Sequence, residues 1–212
     1  MLGLKRYLAR QASRPSGFFG KLVAGKAFNK TNQTHEDMAV DMLPIEEDSQ
    51  ILEIGFGNGR LIHQISMHVD NGRVCGIELS DPMLKEAKKR NRTRIERGIV
   101  ELKKGSVEEI PYDDNQFDIV LTLNSIYFWP DPEQNLKEVH RVLNENGQFY
   151  CGIRPKDQME ESSVIGDNRD IFKNLYTPDE LREFLESGGF REVTVRQDEN
   201  NPLDNVIAKA VK

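Results

Sequence analysis

The sequence predicts an α/β domain on a doubly wound sheet of seven strands, mostly parallel with one antiparallel strand from a C-terminal hairpin. Three observations predict it. Short apolar runs alternate with amphipathic or charged segments from residue 50 to residue 154. The first run ends in the glycine-rich turn "GFGNG" (55–59) and passes straight into a helical pattern. The last two apolar segments, 191–197 and 202–212, are separated only by the polar "DENN", which forces a hairpin.

Residues 1–44 read as an N-terminal helical arm. Before Glu36 the chain has no acid but carries Lys5, Arg6, Arg10, Arg14, Lys21, Lys26 and Lys30, a formal +7 set against −6 for the whole protein. Three readings fit such an arm: a solvated basic face, a contact with an anionic membrane surface or acidic ligand, or a mitochondrial transit peptide. The domain proper is then 45–212. Its first strand is 50–55, followed by a helix from 59 to about 69 with Leu61, Ile62 and Ile65 on one face. A buried strand at 72–79 leads to one charged helix, capped by Asp81 and Pro82 and stopped at Gly98. Strands follow at 99–105 and 116–124. Asp131 and Pro132 open a further helix that ends at the turn "NENG" (144–147), before a fifth strand at 148–154. The stretch 155–176 has no clear period and reads as an insertion at the ligand-binding edge of the sheet. "TPDELREFLESGGF" (177–190) is a capped helix with a Gly-Gly stop, and the hairpin closes the chain. With right-handed crossovers, helices cover both faces, a Rossmann-like arrangement.

Length and composition bound the function. A chain of 212 residues suits one domain with a small appendage. Its acidic balance argues against a general nucleic-acid binder. No apolar run reaches the ~18 residues of a membrane span, and the lack of a long apolar run after the start argues against a secretory signal. Cys75 and Cys151 lie in apolar runs without metal-ligand spacing, so they read as buried thiols suited to a reducing cytoplasm.

The chemistry concentrates on "ILEIGFGNGR" (51–60). Glycines between a strand and a helix permit a tight turn and close backbone approach to a ligand. A dinucleotide fingerprint wants its third glycine where Arg60 stands, which disfavours a nicotinamide oxidoreductase. A purely structural turn stays open. Glu53, just before the loop, would repel a phosphate and suit a cationic ligand. Glu78 ends the second strand, where an acid can accept both hydroxyl hydrogens of a ribose. Ser106 and Val107 follow the third strand, where an adenine could lie. Asn124, Tyr127 and Trp129 gather at the end of the fourth, with core and rim packing as the plainer reading of both aromatic residues.

"ILEIGFGNG", "CGIELS", "GSVEEIPYDDNQFDIV" and "EVHRVLNENGQF" stand in an order and spacing that resemble class I S-adenosylmethionine-dependent methyltransferases, most of all the small-molecule branch with the quinone-biosynthesis C-methyltransferases. The resemblance covers about residues 45–154. It implies S-adenosylmethionine as cofactor, S-adenosylhomocysteine as product, and transfer to a small-molecule acceptor by in-line displacement. It places Glu53, Gly55, Phe56, Gly57 and Gly59 at the methionine moiety, with Phe56 as pocket wall. Glu78 would hold the ribose; Leu79 and Met83 would border the adenine; Ser106 and Val107 would contact its edge; Leu123 and Asn124 would line the methionine side. Ser106 stands where the family often has aspartate, and Tyr127 where many relatives have histidine.

Tyr127 is the leading polar candidate near the methyl and His35 the second, if the arm folds over the pocket. His63, His68 and His140 read as surface or packing residues. The arm, through "RPSGFFGKL" (14–22), and the 155–176 insertion are expected to form a substrate lid. The aromatic content of the arm favours an apolar or aromatic acceptor. Acceptor atom and oligomeric state are not specified by the residues, and a catalytically idle cofactor binder is the alternative from another class. No metal is expected.

Overall fold

The computed structural model describes residues 6, 7, 9, 10, 32–162, 165, 167–198 and 205–212. The segment 14–22 and most of the hairpin turn lie outside them. Helix α1 covers residues 32–42. Then come β1 (Gln50–Ile54), α2 (Arg60–Ser66), β2 (Arg73–Glu78), α3 (Asp81–Arg90), α4 (Arg92–Glu96), β3 (Val100–Lys104), β4 (Phe117–Leu123), α5 (Pro132–Val142), β5 (Leu143–Ile153), α6 (Lys156–Glu161), α7 (Pro178–Ser187), β6 (Arg191–Gln197) and β7 (Val206–Val211).

The seven strands form one sheet in the order β3-β2-β1-β4-β5-β7-β6. The pairs among β1–β5 are parallel. β7 runs antiparallel to both β5 and β6. Burial explains which hairpin strand enters the sheet. β7 (VIAKAV) is buried almost throughout, whereas β6 (REVTVRQ) is largely exposed and charged, as an outer edge must be to discourage further pairing.

Two buried apolar clusters flank the sheet. One joins the strands to α5 and α7 through Leu136, Val139, Leu181 and Leu185. The other joins them to α1, α2 and α3 through Met38, Ala39, Leu61, Ile62, Ile65 and Ala87. The last turns before residue 44 therefore belong to the same core as the strands.

Two local expectations are corrected. The single charged helix foreseen over 81–98 breaks at Asn91, which ends α3 and opens α4. Its Nδ2 donates to Ala87 O and to Gly59 O, both at 3.0 Å, so a side chain takes over the capping of α3. Arg94 in α4 then reaches back to the carbonyls of Ser66 and Val69, fixing the new axis. The "NENG" turn sits inside β5 as a bulge: Phe117 pairs with Leu143 but Ile119 with Gln148, and Asn146 takes φ 66°.

Order reverses at β1, which has β2 on one side and β4 on the other. The crevice beyond the carboxyl ends of β1 and β4 is where such sheets bind ligands. The glycine loop leaves β1 there, and Asn124 and Ser125 leave β4 beside it.

Candidate functional site

The three glycines of the loop serve different neighbours. A Cβ on Gly55 would stand 2.8 Å from Ser125 Cβ, so Gly55 lets the β1 and β4 exits touch. Gly59 fits against α3, where a Cβ would lie 2.6 Å from Ala87 Cβ. Gly57 alone faces open space. Its φ of 54° explains the glycine there, and its backbone is the part of the loop presented to the crevice.

Phe56 was expected on the pocket wall. Its ring is instead 5% exposed and lies over Gly76, where a Cβ would come 2.5 Å from Phe56 Cδ1. Phe56 thus anchors the loop in the core. Glu78 is held by the same loop: its Oε2 accepts from Gly57 N at 3.0 Å and its Oε1 from Ser80 N at 2.8 Å. Those two N–H groups fix the carboxylate at the crevice.

Acids line the β1 side. Glu53 is 4% exposed, and its Oε2 finds no hydrogen-bond partner among the described residues. Burial first, then the nearby Glu36 and Glu78 carboxylates, push its pKa well above the usual carboxylate range. Glu36, contributed by α1, also has a buried Oε2 without a hydrogen bond, although Arg60 lies 3.3 Å away as an ion pair. Its pKa is pushed up to about 7, by burial against the pull of Arg60. Sequence reasoning missed Glu36, because only the packing of α1 brings it to Glu53. An unsatisfied carboxyl this deeply buried is destabilising on its own. A ligand bearing ammonium and sulfonium charges would supply the missing partner, so the residues fit the expected cofactor.

The residues expected at the adenine follow the ends of β2 and β3. Leu79 is 45% exposed at the crevice, and Met83 is buried in the first turn of α3. Val107 is buried, while Ser106 Oγ donates to Glu108 Oε2 at 3.0 Å and accepts from Glu108 N. Leu123 and Asn124 are half-buried at the β4 end.

The two catalytic candidates meet through Asn124. His35 is fully buried in α1; its Nε2 lies 3.2 Å from Val206 O and its Nδ1 3.2 Å from Asn124 Nδ2. The carbonyl requires a proton on Nε2, so Nδ1 accepts from the amide. Burial lowers the His35 pKa to about 4, leaving the ring neutral at physiological pH. Tyr127 is 2% exposed; its hydroxyl donates to Asn124 Oδ1 at 3.2 Å and accepts from Arg154 N at 2.6 Å. Burial pushes its phenol far above the ordinary range. Neither group presents a free proton acceptor. Asn124 holds φ 55°, a conformation asparagine tolerates better than most residues. Trp129 is buried, as core packing requires.

Residues near the N-terminus meet residues 170–175 beside this network. Arg6 forms a two-pronged ion pair with Asp170 at 2.7 and 3.2 Å, and Ala9 is buried in the cluster that includes Phe172 and Leu175. Asn174 Nδ2 donates to Ile126 O and Trp129 O, tying this residue to the turn that carries Tyr127. Cys75 and Cys151 are buried thiols whose pKa values are raised, about 11 for Cys75, so neither is a nucleophile at neutral pH. Among the described residues there is no cluster suited to a metal ion and no helix long and apolar enough to cross a membrane.

Comparison with known proteins agrees with this arrangement. The family model for a methyltransferase domain matches residues 52–151. The chain is 33% identical to YrhH of Bacillus subtilis (strain 168), a candidate methyltransferase, over 147 residues, 69% of this chain and 79% of that protein. It is 29% identical over 166 residues to 2-methyl-6-phytyl-1,4-hydroquinone methyltransferase 1 of Oryza sativa subsp. japonica, 76% of this chain and 48% of that protein. Among solved structures, it superposes with a TM-score of 0.66 on an S-adenosylmethionine-dependent methyltransferase of Thermotoga maritima, described as a possible histamine N-methyltransferase, at 25% identity over 89% of this chain and 96% of that one.

Proposed function

The chain belongs to the class I S-adenosylmethionine-dependent methyltransferases, and on that premise we propose that it methylates a small-molecule acceptor. The observation that carries this reading is the pair of buried, incompletely partnered carboxyls, Glu53 and Glu36, beside the open backbone of Gly57. They are matched in charge to the cofactor's methionine end. Glu78 would hold the ribose, Leu79 and Met83 the adenine face, and Ser106 and Val107 its edge. When bound, S-adenosylmethionine supplies an activated methyl group that leaves its sulfonium in line, with S-adenosylhomocysteine as the neutral thioether product.

The protein's own part is alignment and exclusion of water. His35, Asn124 and Tyr127 act as positioning residues, fixing the β4 and β5 ends against α1. The residues near 6–10 and the 155–176 segment close over the crevice as a lid. An apolar or aromatic acceptor, as in the quinone branch, draws support from the hydroquinone methyltransferase relative and from Tyr127, Phe128 and Phe172, whose rings lie 5.2–6.4 Å apart beside the β4 end.

Calorimetry with S-adenosylmethionine and NADH tests the cofactor; binding of NADH alone, or of neither, sinks the reading. Turnover of labelled methyl donor against a metabolite panel tests catalysis; tight cofactor binding with no acceptor turned over favours an idle cofactor binder. Replacing Glu78 with alanine is expected to weaken cofactor binding by about 1–3 kcal/mol, the worth of hydrogen bonds to a charged group. Unchanged affinity removes Glu78 from the ribose role.

Cofactor affinity is also expected to depend on pH. Glu36 titrates near pH 7, whereas the ligand's α-amino group keeps its proton below about pH 7.7. Below pH 7 the Glu36 carboxyl must release a proton to meet the ammonium, so affinity falls as pH drops. Calorimetry between pH 5.5 and 7.5 is expected to show about a tenfold rise in affinity. A flat profile rules Glu36 out of the cofactor's charge environment.

A further inference from the structure

The charges around the crevice divide by side. Glu53 and Glu78 stand in β1 and β2 with Glu36 of α1 near Glu53, and Arg154 follows the end of β5. Arg154 is half-buried between α1 and the turn after β4. Its Nη2 donates to Asn32 Oδ1 at 2.9 Å, and its Nε is buried with no hydrogen-bond partner. Among the described residues no carboxylate pairs with it. The acids outside them are Glu199 and Asp204, because the chain before Glu36 contains none.

A guanidinium withdrawn from water without an anion is costly and is normally matched by one. The matching group has a defined shape: the planar fork of arginine binds carboxylates through two parallel N–H donors, and Nε is one of the donors left unused. The neighbours offer no competing acid. Tyr127 is a neutral phenol, His35 a neutral imidazole and Asn124 an amide. The aromatic rings of Phe128 and Phe172 pack on Tyr127 and give an apolar flank.

We propose that Arg154 is the recognition residue for a carboxylate on the methyl acceptor, which makes the substrate class small aromatic or apolar acids. This rests on the reading of the chain as a methyltransferase. The cofactor takes the acidic side of the crevice and the acceptor acid the basic side, and each side disfavours the other ligand's charge.

The test uses the full chain saturated with S-adenosylhomocysteine. Benzoate, 4-hydroxybenzoate and octanoate are titrated by calorimetry, each against its neutral amide, in the wild type and in R154Q and R154K. The expected result is that at least one acid binds tenfold or more tighter than its amide. That preference is lost in R154Q and partly kept in R154K, with S-adenosylmethionine affinity within twofold throughout. Three results with the wild type and the Arg154 variants overturn the proposal: no acid outbinding its amide, an acid preference that survives R154Q, or a tenfold loss of S-adenosylmethionine affinity in R154Q. The last would assign Arg154 to the cofactor's own carboxylate. A variant with Asp204→Asn added to the wild type must keep the acid preference; its loss would make Asp204 the organiser of this site and also overturn the assignment. Failure of the wild type to bind S-adenosylmethionine would instead refute the methyltransferase reading itself.

Discussion

Replacing Glu53 with glutamine is expected to weaken S-adenosylmethionine binding by about 2–4 kcal/mol, roughly 30- to 1,000-fold, while the cofactor-free protein becomes no less stable. The two effects have one cause. Glu53 lies at the end of β1 with Oε2 buried and unpartnered, and its pKa stands well above the usual range. In the unfolded chain a glutamate releases its proton near pH 4.3. The folded protein keeps that proton to higher pH, so folding becomes less favourable as pH rises from there toward the folded pKa. Glutamine has the shape of the protonated acid and never ionises, so it removes this penalty. What it also removes is the acid's capacity to release its proton and become a carboxylate when a cationic ligand arrives in a site shielded from water, where charge pairing is strongest. Calorimetry with S-adenosylmethionine and thermal melts without it, both at pH 8, check the two halves. A melting temperature that falls together with affinity would make Glu53 a structural residue. Unchanged affinity would put the cofactor's positive charges elsewhere.

The contrast between Glu53 and Glu36 shows what the sequence can and cannot display. Glu53 was legible because its position is local: an acid one residue before the end of a strand that runs into a glycine turn. The parallel strands were legible for the same kind of reason, since alternation of apolar runs and amphipathic segments is a short-range signal. The reversed last strand followed from the brevity of "DENN". Glu36 and Arg154 were invisible because nothing near them in the chain marks a site. Each acquires its role only when α1 packs across the ends of β1 and β5, a contact spanning more than a hundred residues between Asn32 and Arg154. A helix break of the same origin was missed at Asn91, whose amide bonds to Gly59 O, a partner 32 residues away. Side-chain direction was likewise hidden. Phe56 alternates with glycines in the sequence, but the space that receives its ring is made by Gly76 on the neighbouring strand. His35 and Tyr127 were nominated for their chemical type, and their type did not reveal that each would be saturated by backbone groups and by Asn124.

Gly59→Ala is expected to destabilise the cofactor-free protein by about 2–5 kcal/mol, and Gly57→Ala by about 1–2 kcal/mol. Both positions have positive φ, 71° and 54°, so both variants bear the left-handed penalty of an L residue, about 1–2 kcal/mol. Only at 59 does the new methyl meet a wall. Ala87 Cβ would be 2.6 Å away and Ala87 Cα 3.0 Å, and α3 would have to move off the loop. Overpacking of that kind adds about 1–3 kcal/mol. Asn91 would be displaced with it, since its Nδ2 would lie 2.9 Å from the methyl while holding Gly59 O and Ala87 O. Urea unfolding without ligand separates the two variants, and equal losses would mean that α3 gives way freely. Cofactor affinity should rank them in the opposite order, because the Gly57 methyl would project into the open crevice and the Gly59 methyl into α3. The spacing of the motif follows from this division. In the dinucleotide fingerprint the third glycine comes three residues after the second, where a helix must lie close to its strand. Here it comes two residues after, where the loop itself must lie close to a neighbouring helix, and the position one further on is free to carry Arg60 and its ion pair with Glu36.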